Sequence, residues 1–278
     1  MLSYRHSFHA GNFADVIKHV VLVEILEYLI RKDKPFTYID THAGAGYYAL
    51  TSEPSGKTRE YESGIGKLFG QALPELASYL SIVGQYNNAG RLAHYPGSPL
   101  IARHFLRRED RAWLYELHPR DFELLAANMA GQRSIKVLKE DGLKTFTRLL
   151  PPLSRRGLVL IDPSYELKTD YAAVVNALIT AHRRFAGGIY ALWYPVVERE
   201  RIHQMEKALI GSGIRDIQLF ELGLTADSRG HGMTAAGMIV INPPWTLLTR
   251  MQTILPLLAS TLASGSNGYH RCRILAQE

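Results

Sequence analysis

Apolar residues first recur at helical spacing: Val16, Ile17, Val20, Val23 and Leu26 predict a helix over about 13–31 with a buried stripe. Asn12 is a good N-cap, Asp15 suits the positive helix start, and Lys32-Asp33-Lys34-Pro35 ends the element. The period then shortens. Apolar runs at 36–39, 112–115, 135–138, 158–161 and 188–193 read as strands. The stretches 121–129, 143–149, 172–185 and 199–210 read as helices between them. This alternation predicts an α/β fold with a mainly parallel sheet covered on both faces. Strands at 216–222 and 237–241 flank a glycine-rich loop and read as an antiparallel pair. A loose linker over 259–269 and a short final strand close the chain. Residues 51–97 interrupt the alternation with polar turns and two helices, near 62–69 and 74–85. They read as a helical subdomain inserted into a single domain spanning 1–278. Pro96-Gly97-Ser98-Pro99 closes the insertion, with Ser98 as the N-cap of a helix running to about 108.

Composition narrows the class. With 46% hydrophobic and 21% charged residues, the 278-residue chain is ordinary for a soluble globular protein. The single cysteine, Cys272, excludes an intramolecular disulfide and a cysteine-based zinc cluster, and suits a reducing cytoplasm. The first residues do not form a signal peptide, and Glu24 and Glu27 break the longest early apolar stretch, so no membrane span is expected. A formal charge of +6 leans toward a polyanionic partner. The basic residues come in pairs, Arg107-Arg108, Arg155-Arg156 and Arg183-Arg184, with Arg199 and Arg201 close together. They read either as solvated helix ends and loops or as scattered phosphate contacts that position an RNA.

The candidate chemistry lies at strand tips, where open α/β sheets bind ligands. Successive tips carry Asp40, Glu116, Asp141, Asp162 and Tyr194. Acids in a row at one sheet edge repel one another, which speaks against a purely structural role. Gly44-Ala45-Gly46 after the first strand allows close backbone approach to a ligand. Glu116 stands where an acid commonly accepts ribose hydroxyls, and Asp141 beside Gly142 can hold an adenine edge. Together they describe an adenosine-containing cofactor. Tyr47-Tyr48 follows the glycines with no third glycine, which disfavours a dinucleotide; S-adenosylmethionine has no phosphates to cradle.

Asp162-Pro163-Ser164-Tyr165 can grip the exocyclic amine of a flat base. Asp162 and the Pro163 carbonyl accept its N–H groups while Tyr165 stacks. A second copy, Asn242-Pro243-Pro244-Trp245, matches the general pattern better by letter. Chain order favours Asp162, because the copy at 242 follows the antiparallel strand, away from the crevice. Ser164 stands where a second proline would be usual. Lys168 and Tyr171 could gate the base. Arg229, Gly230, His231 and Gly232 form a loop that either closes over RNA or simply connects two strands.

Asp40-Thr41-His42-Ala43-Gly44-Ala45-Gly46 with a downstream Asp-Pro-x-Tyr resembles the adenine-N6 methyltransferases of the Rossmann-like class. The opening Tyr4-Arg5-His6-Ser7-Phe8-His9-Ala10-Gly11-Asn12, with Asp15, Lys18 and His19, narrows the resemblance to the bacterial 23S ribosomal RNA adenine-N6 methyltransferases, over nearly the whole chain. That resemblance implies a class I fold with a seven-stranded sheet, an antiparallel last strand, and S-adenosyl-L-methionine as cofactor. It implies cofactor contacts at His19, His42, Gly44, Ser98, Glu116, Asp141, Gly142 and Asp162. Asp162, Pro163 and Tyr165 would meet the reacting amine, and Tyr4, Arg5 and His6 the substrate RNA. Plainer readings stand beside these: His19 as a helix-surface histidine, Ser98 as a cap only, Tyr4 as a packing residue. The expected function is methylation of an adenine N6 in 23S ribosomal RNA by a cytoplasmic monomer with no metal and no membrane. DNA adenine methylation and a non-catalytic RNA-binding relative, its turnover lost through Ser164, are the alternatives.

Overall fold

The computed structural model describes residues 6–51, 55, 58–88, 90–226, 232–263 and 267–278. The strands are β1 (Thr37–Asp40), β2 (Tyr47–Ala49), β3 (His94–Pro96), β4 (Arg111–Tyr115), β5 (Ile135–Leu138), β6 (Gly157–Ile161), β7 (Ile189–Val196), β8 (Ile217–Gly223), β9 (Ala235–Ile241) and β10 (Tyr269–Ala276). Eight of them form one sheet in the order β10-β8-β9-β7-β6-β1-β4-β5. From β5 through β7 the neighbours run parallel. β9 is antiparallel to both β7 and β8, and β10 is antiparallel to β8 at the edge. The sheet therefore has one strand more than the seven expected, because the final segment pairs along β8 for its whole length. β2 and β3 make a separate antiparallel pair.

The first helix, α1 (Phe13–Ile30), starts where the capping signal placed it: the Asn12 side chain accepts from the Ala14 and Asp15 N–H groups. It is buried almost all round rather than along one stripe, because it lies against the sheet under two further helices, Ser98–Phe105 and Leu247–Leu262. The opposite face carries Asp170–Arg184 and Arg199–Gly211 over a second apolar core. The helix Leu247–Leu262 replaces the first part of the expected linker at 259–269. Pro243-Pro244 ahead of it and Pro256 inside it obscured its apolar period. Between β2 and β3 the chain forms short helical turns at Glu60–Glu62 and Ile65–Leu68, a turn at Pro74–Leu76 and the helix Ala77–Gln85.

Parallel strands give the sheet two unlike ends. The carboxyl end holds the tips of β1, β4, β5, β6 and β7. The amino end holds the loops that lead into those strands. Two arginines build these entry loops. Arg107 donates to the Lys32 and Lys34 carbonyls and pairs with buried Asp110, which in turn accepts the Phe36 N–H at 2.9 Å. Arg156 donates to the Lys34 and Leu29 carbonyls. β9 runs against β7, so its last residue, Ile241, pairs with Tyr190 near the start of β7. Asn242 therefore sits at the amino end, where its amide donates to the Ala186 and Gly188 carbonyls at 2.6 and 2.7 Å.

Candidate active site

The loops at the carboxyl end enclose a cleft of about 530 Å³, within the range of small-molecule sites. β1 leads into the glycine turn, where Gly44 and Gly46 adopt positive φ of 60° and 75°. A Cβ on Gly44 would lie 2.2 Å from the Tyr48 hydroxyl, so only glycine fits this left-handed position. The turn also orients the acid at the tip of β4. Glu116 Oε2 accepts the Gly44 N–H at 2.8 Å, and Oε1 accepts the His118 N–H at 2.7 Å. Burial raises the Glu116 carboxyl above its usual range, against those two N–H groups.

Asp141 caps the short helix Gly142–Thr145 and pairs with exposed Lys144 at 2.9 Å. A Cβ on Gly142 would lie 2.2 Å from the Thr41 carbonyl oxygen, which keeps this wall flat against the β1 tip. His42 faces the cleft with Nδ1 2.8 Å from the Thr41 hydroxyl; burial pushes its pKa down to about 4, so it is neutral. His19 is not a surface histidine. It is 1% exposed, its Nδ1 is 2.7 Å from the Tyr95 hydroxyl, and its Nε2 is buried with no partner among the described residues. Ser98 is not the N-cap. Gly97 occupies that position, and the Ser98 hydroxyl donates to Asp40 at 2.7 Å. Asp40, wholly buried, also accepts from Tyr38 and the His42 N–H, so it organises the turn from behind and does not line the cleft. Tyr194 likewise points away: it is buried, and its hydroxyl donates to Glu221.

Asp162, at the tip of β6, carries the main electrostatic feature. Its Oδ2 lies 2.5 Å from Lys18 Nζ. Lys18 also pairs with Asp15 at 2.8 Å, and His6 Nε2 lies 2.8 Å from the other Asp15 oxygen. Burial pushes the Asp162 carboxyl up to about 6, with Lys18 opposing it. Burial also opposes ionisation of Asp15, but His6 and Lys18 outweigh it and hold that carboxyl well below its usual range. Lys18 keeps its proton because Asp15 and Asp162 more than offset its own burial. The described residues give Asp162 Oδ1 no hydrogen bond, so it remains available to a ligand.

Pro163 is buried beside Asp162, and Ser164 is exposed. Tyr165 has a positive φ of 51°, and its hydroxyl donates to the Trp193 carbonyl at 2.8 Å. Tyr171 packs on its ring at 4.6 Å between centroids and Trp193 at 6.0 Å, so the ring is fixed at the cleft wall. Lys168 lines the mouth. Tyr4, Arg5 and the loop residues Arg229, Gly230 and His231 lie outside the described residues; Gly232 lies just after that loop. Arg199 is no phosphate contact. Half-buried, it pairs with the buried Glu221, as does Arg271.

Sequence reasoning gave Lys18 and Asp15 no chemical role. Their signal was present: a cation and an anion three residues apart inside an apolar helix must be paired when that helix is buried. Trp193, whose ring nitrogen is buried without a partner among the described residues, lacked any such signal.

The family model described as "Ribosomal RNA large subunit methyltransferase D, RlmJ" matches residues 33–274. The chain belongs to this methyltransferase family. It is 53% identical to "Ribosomal RNA large subunit methyltransferase J" of Escherichia coli (strain K12) over 271 residues, 97% of each chain. The protein of the same description from Haemophilus influenzae is 52% identical over 96% of each. A crystal structure of a Legionella pneumophila protein is 36% identical, with a TM-score of 0.89, covering 96% of this chain and 98% of its own. A probable spermidine synthase from Corynebacterium glutamicum, 10% identical with a TM-score of 0.51, covers 96% of this chain and 77% of its own and shares the fold alone. In this family's chain the cleft suits S-adenosylmethionine. Glu116 is preset by two N–H groups, and the buried, unpartnered Nε2 of His19 would be satisfied by a polar group of the cofactor.

Proposed function

We propose that the protein methylates the N6 amino group of an adenine in 23S ribosomal RNA, using S-adenosyl-L-methionine. The observation that carries this reading is Asp162. Its carboxylate is held by Lys18 at the mouth of the cleft that also contains Glu116 and the glycine turn. Relatives over 50% identical along nearly their whole length are named for methylation of large-subunit ribosomal RNA, which supports the substrate class.

Bound in the cleft, S-adenosylmethionine supplies an electrophilic methyl group on a sulfonium. His19, His42, Gly44, Ser98, Glu116, Asp141 and Gly142 form its proposed site. Glu116 would accept the ribose hydroxyls and Asp141 the adenine amine, while Ser98 acts indirectly by fixing Asp40 behind the turn. The target base must leave its stack to reach Asp162. Asp162 Oδ1 accepts one N6–H and the Pro163 carbonyl the other, which localises the nitrogen lone pair as the base stacks on Tyr165. The cofactor, held by residues such as Glu116 and Asp141, would supply the methyl group and keep the electron pair of its methyl–sulfur bond, while Asp162 and the Pro163 carbonyl hold the amine. The nitrogen then sheds its extra proton to Asp162. Orientation and preset acceptors account for the acceleration. His6, joined to Lys18 through Asp15, is proposed to meet the substrate RNA, as are Tyr4 and Arg5, which precede it in the sequence.

Residues 51–97 would act as an inserted subdomain packed beside the cleft. No described helix is long and apolar enough to cross a membrane; a cytoplasmic monomer fits the substrate. Transfer of labelled methyl groups to unmodified 23S ribosomal RNA, followed by digestion to nucleosides, tests the reading. N6-methyladenosine is the expected product; label on DNA alone, or on another base, contradicts it.

A further inference from the structure

The cleft is rich in acids: Glu116, Glu140, Asp141, Asp162, Asp170 and Glu198 all line it. Of the lysines and arginines lining it, Lys18 and Arg201 are paired with those acids or with Asp15, which leaves Lys168 against a larger number of carboxylates. A cleft of this sign does little to attract a polyanion, yet the chain is basic. The excess positive charge lies at the other end of the sheet. Segments 31–34, 107–111, 155–156 and 183–184 hold ten Lys or Arg against three Asp or Glu, a larger excess than the +6 of the whole chain. The first three of these segments are cross-linked in space by Arg107 and Arg156.

Each arginine pair divides its work in the same way. Arg107, Arg156 and Arg184 donate to backbone carbonyls and build the loops. Their neighbours Arg108, Arg155 and Arg183 are exposed and make no side-chain hydrogen bond or ion pair among the described residues, as do Lys32 and Lys34. Capping of helix ends and loops is therefore already complete without them. On the same end stands Trp245, 78% exposed, in the turn that follows β9. Unpaired cations at the same end of the sheet as an exposed aromatic suit a nucleic-acid backbone with an unstacked base.

We propose that the amino end of the sheet is a second RNA-binding surface, holding phosphates of a segment remote from the target adenine, with Trp245 as a stacking platform. This rests on RNA being the substrate. The two ends are separated by the length of the strands, about 25 Å for the eight-residue β7. A short stem-loop seated in the cleft does not reach the second surface, and full-length ribosomal RNA does.

The test is equilibrium binding of the full chain to full-length 23S ribosomal RNA and to a short adenine-containing stem-loop, over a range of salt. In Lys32→Gln/Lys34→Gln/Arg108→Gln/Arg155→Gln the loop-building arginines are kept. Its Kd for the full-length RNA should rise at least about tenfold, and its log–log salt slope should fall by about 3. Its stem-loop affinity and methyl transfer to that stem-loop should stay within about twofold of the parent. Trp245→Ala, which leaves every loop intact, should bind the long RNA about fivefold more weakly with the salt slope unchanged. Parental affinity and slope in both variants overturn the proposal. So does a loss seen only with protein-containing ribosomal particles, which would make the partner a protein. If the parent transfers no methyl group to any RNA but the variants still lose RNA affinity, the surface stands and the proposed reaction fails.

Discussion

Two proline-containing turns close strands at opposite ends of one sheet, and they have opposite fates. Asp162-Pro163-Ser164-Tyr165 ends β6 in the cleft; Asn242-Pro243-Pro244-Trp245 ends β9 beside the entry to β7. The second is the cleaner motif by letter, yet its Asn242 amide is spent on two backbone carbonyls and its Trp245 faces solvent. The first keeps one carboxylate oxygen for a ligand and receives a buried lysine on the other. Strand direction decides between them. A motif delivers chemistry only when its strand points the same way as the glycine turn and the ribose acid.

Substitutions can break that comparison. The largest expected effect is Asp162→Ala, which should lower methyl transfer at least about a thousandfold with cofactor binding retained, whereas Asn242→Ala should leave transfer intact and cost about 1 kcal/mol of stability. Single-turnover rates and denaturant unfolding separate the two. Lys18→Met should cost about 3 kcal/mol by stranding buried Asp15 beside Asp162. It should also move the midpoint of the pH–rate profile upward, since the cation that opposes burial is gone. Gly142→Ala should cost about 2 kcal/mol and weaken cofactor binding, because the new Cβ meets the Thr41 carbonyl.

The pH dependence sharpens the same contrast. The folded-state pKa of Asp162, about 6, lies above the ordinary 3.8. Its contribution to stability is full below about 3.8 and is lost as pH rises through about 6. Transfer needs the carboxylate, so it should rise over that window and level off above it. Activity and this group's stability contribution thus run in opposite directions, and a rate that falls between pH 5 and 7 would exclude Asp162 as the acceptor. The smallest effect is expected from Ser164→Pro. Ser164 is exposed and makes no hydrogen bond to Asp162 among the described residues, so stiffening the turn should change the transfer rate by less than about threefold.

The parallel sheet and its alternating helices were legible because period and punctuation agree in each unit. Asn12 caps α1, and short apolar runs end at acids. The place of Glu116, Asp141 and Asp162 at the cleft end of the sheet could be read from chain order alone. What was not legible depends on contacts distant in sequence. Ser98 looks like a cap until Asp40, fifty-eight residues earlier, takes its hydroxyl. Asp15 looks like a dipole partner until burial joins it to His6 and Lys18. Arg199 looks like a surface cation until Glu221 is found buried beneath it. The eighth strand depends on β10 finding an open edge along β8, which no local pattern encodes.

The central claim is that the turn after β6, and not the one after β9, does the chemistry. Its most direct test is a side-by-side single-turnover assay of Asp162→Ala and Asn242→Ala on unmodified 23S ribosomal RNA with labelled S-adenosylmethionine, read as N6-methyladenosine. The account predicts product from Asn242→Ala at the parental rate and none above background from Asp162→Ala. Parental product from Asp162→Ala, or its loss only in a folded Asn242→Ala, would contradict it.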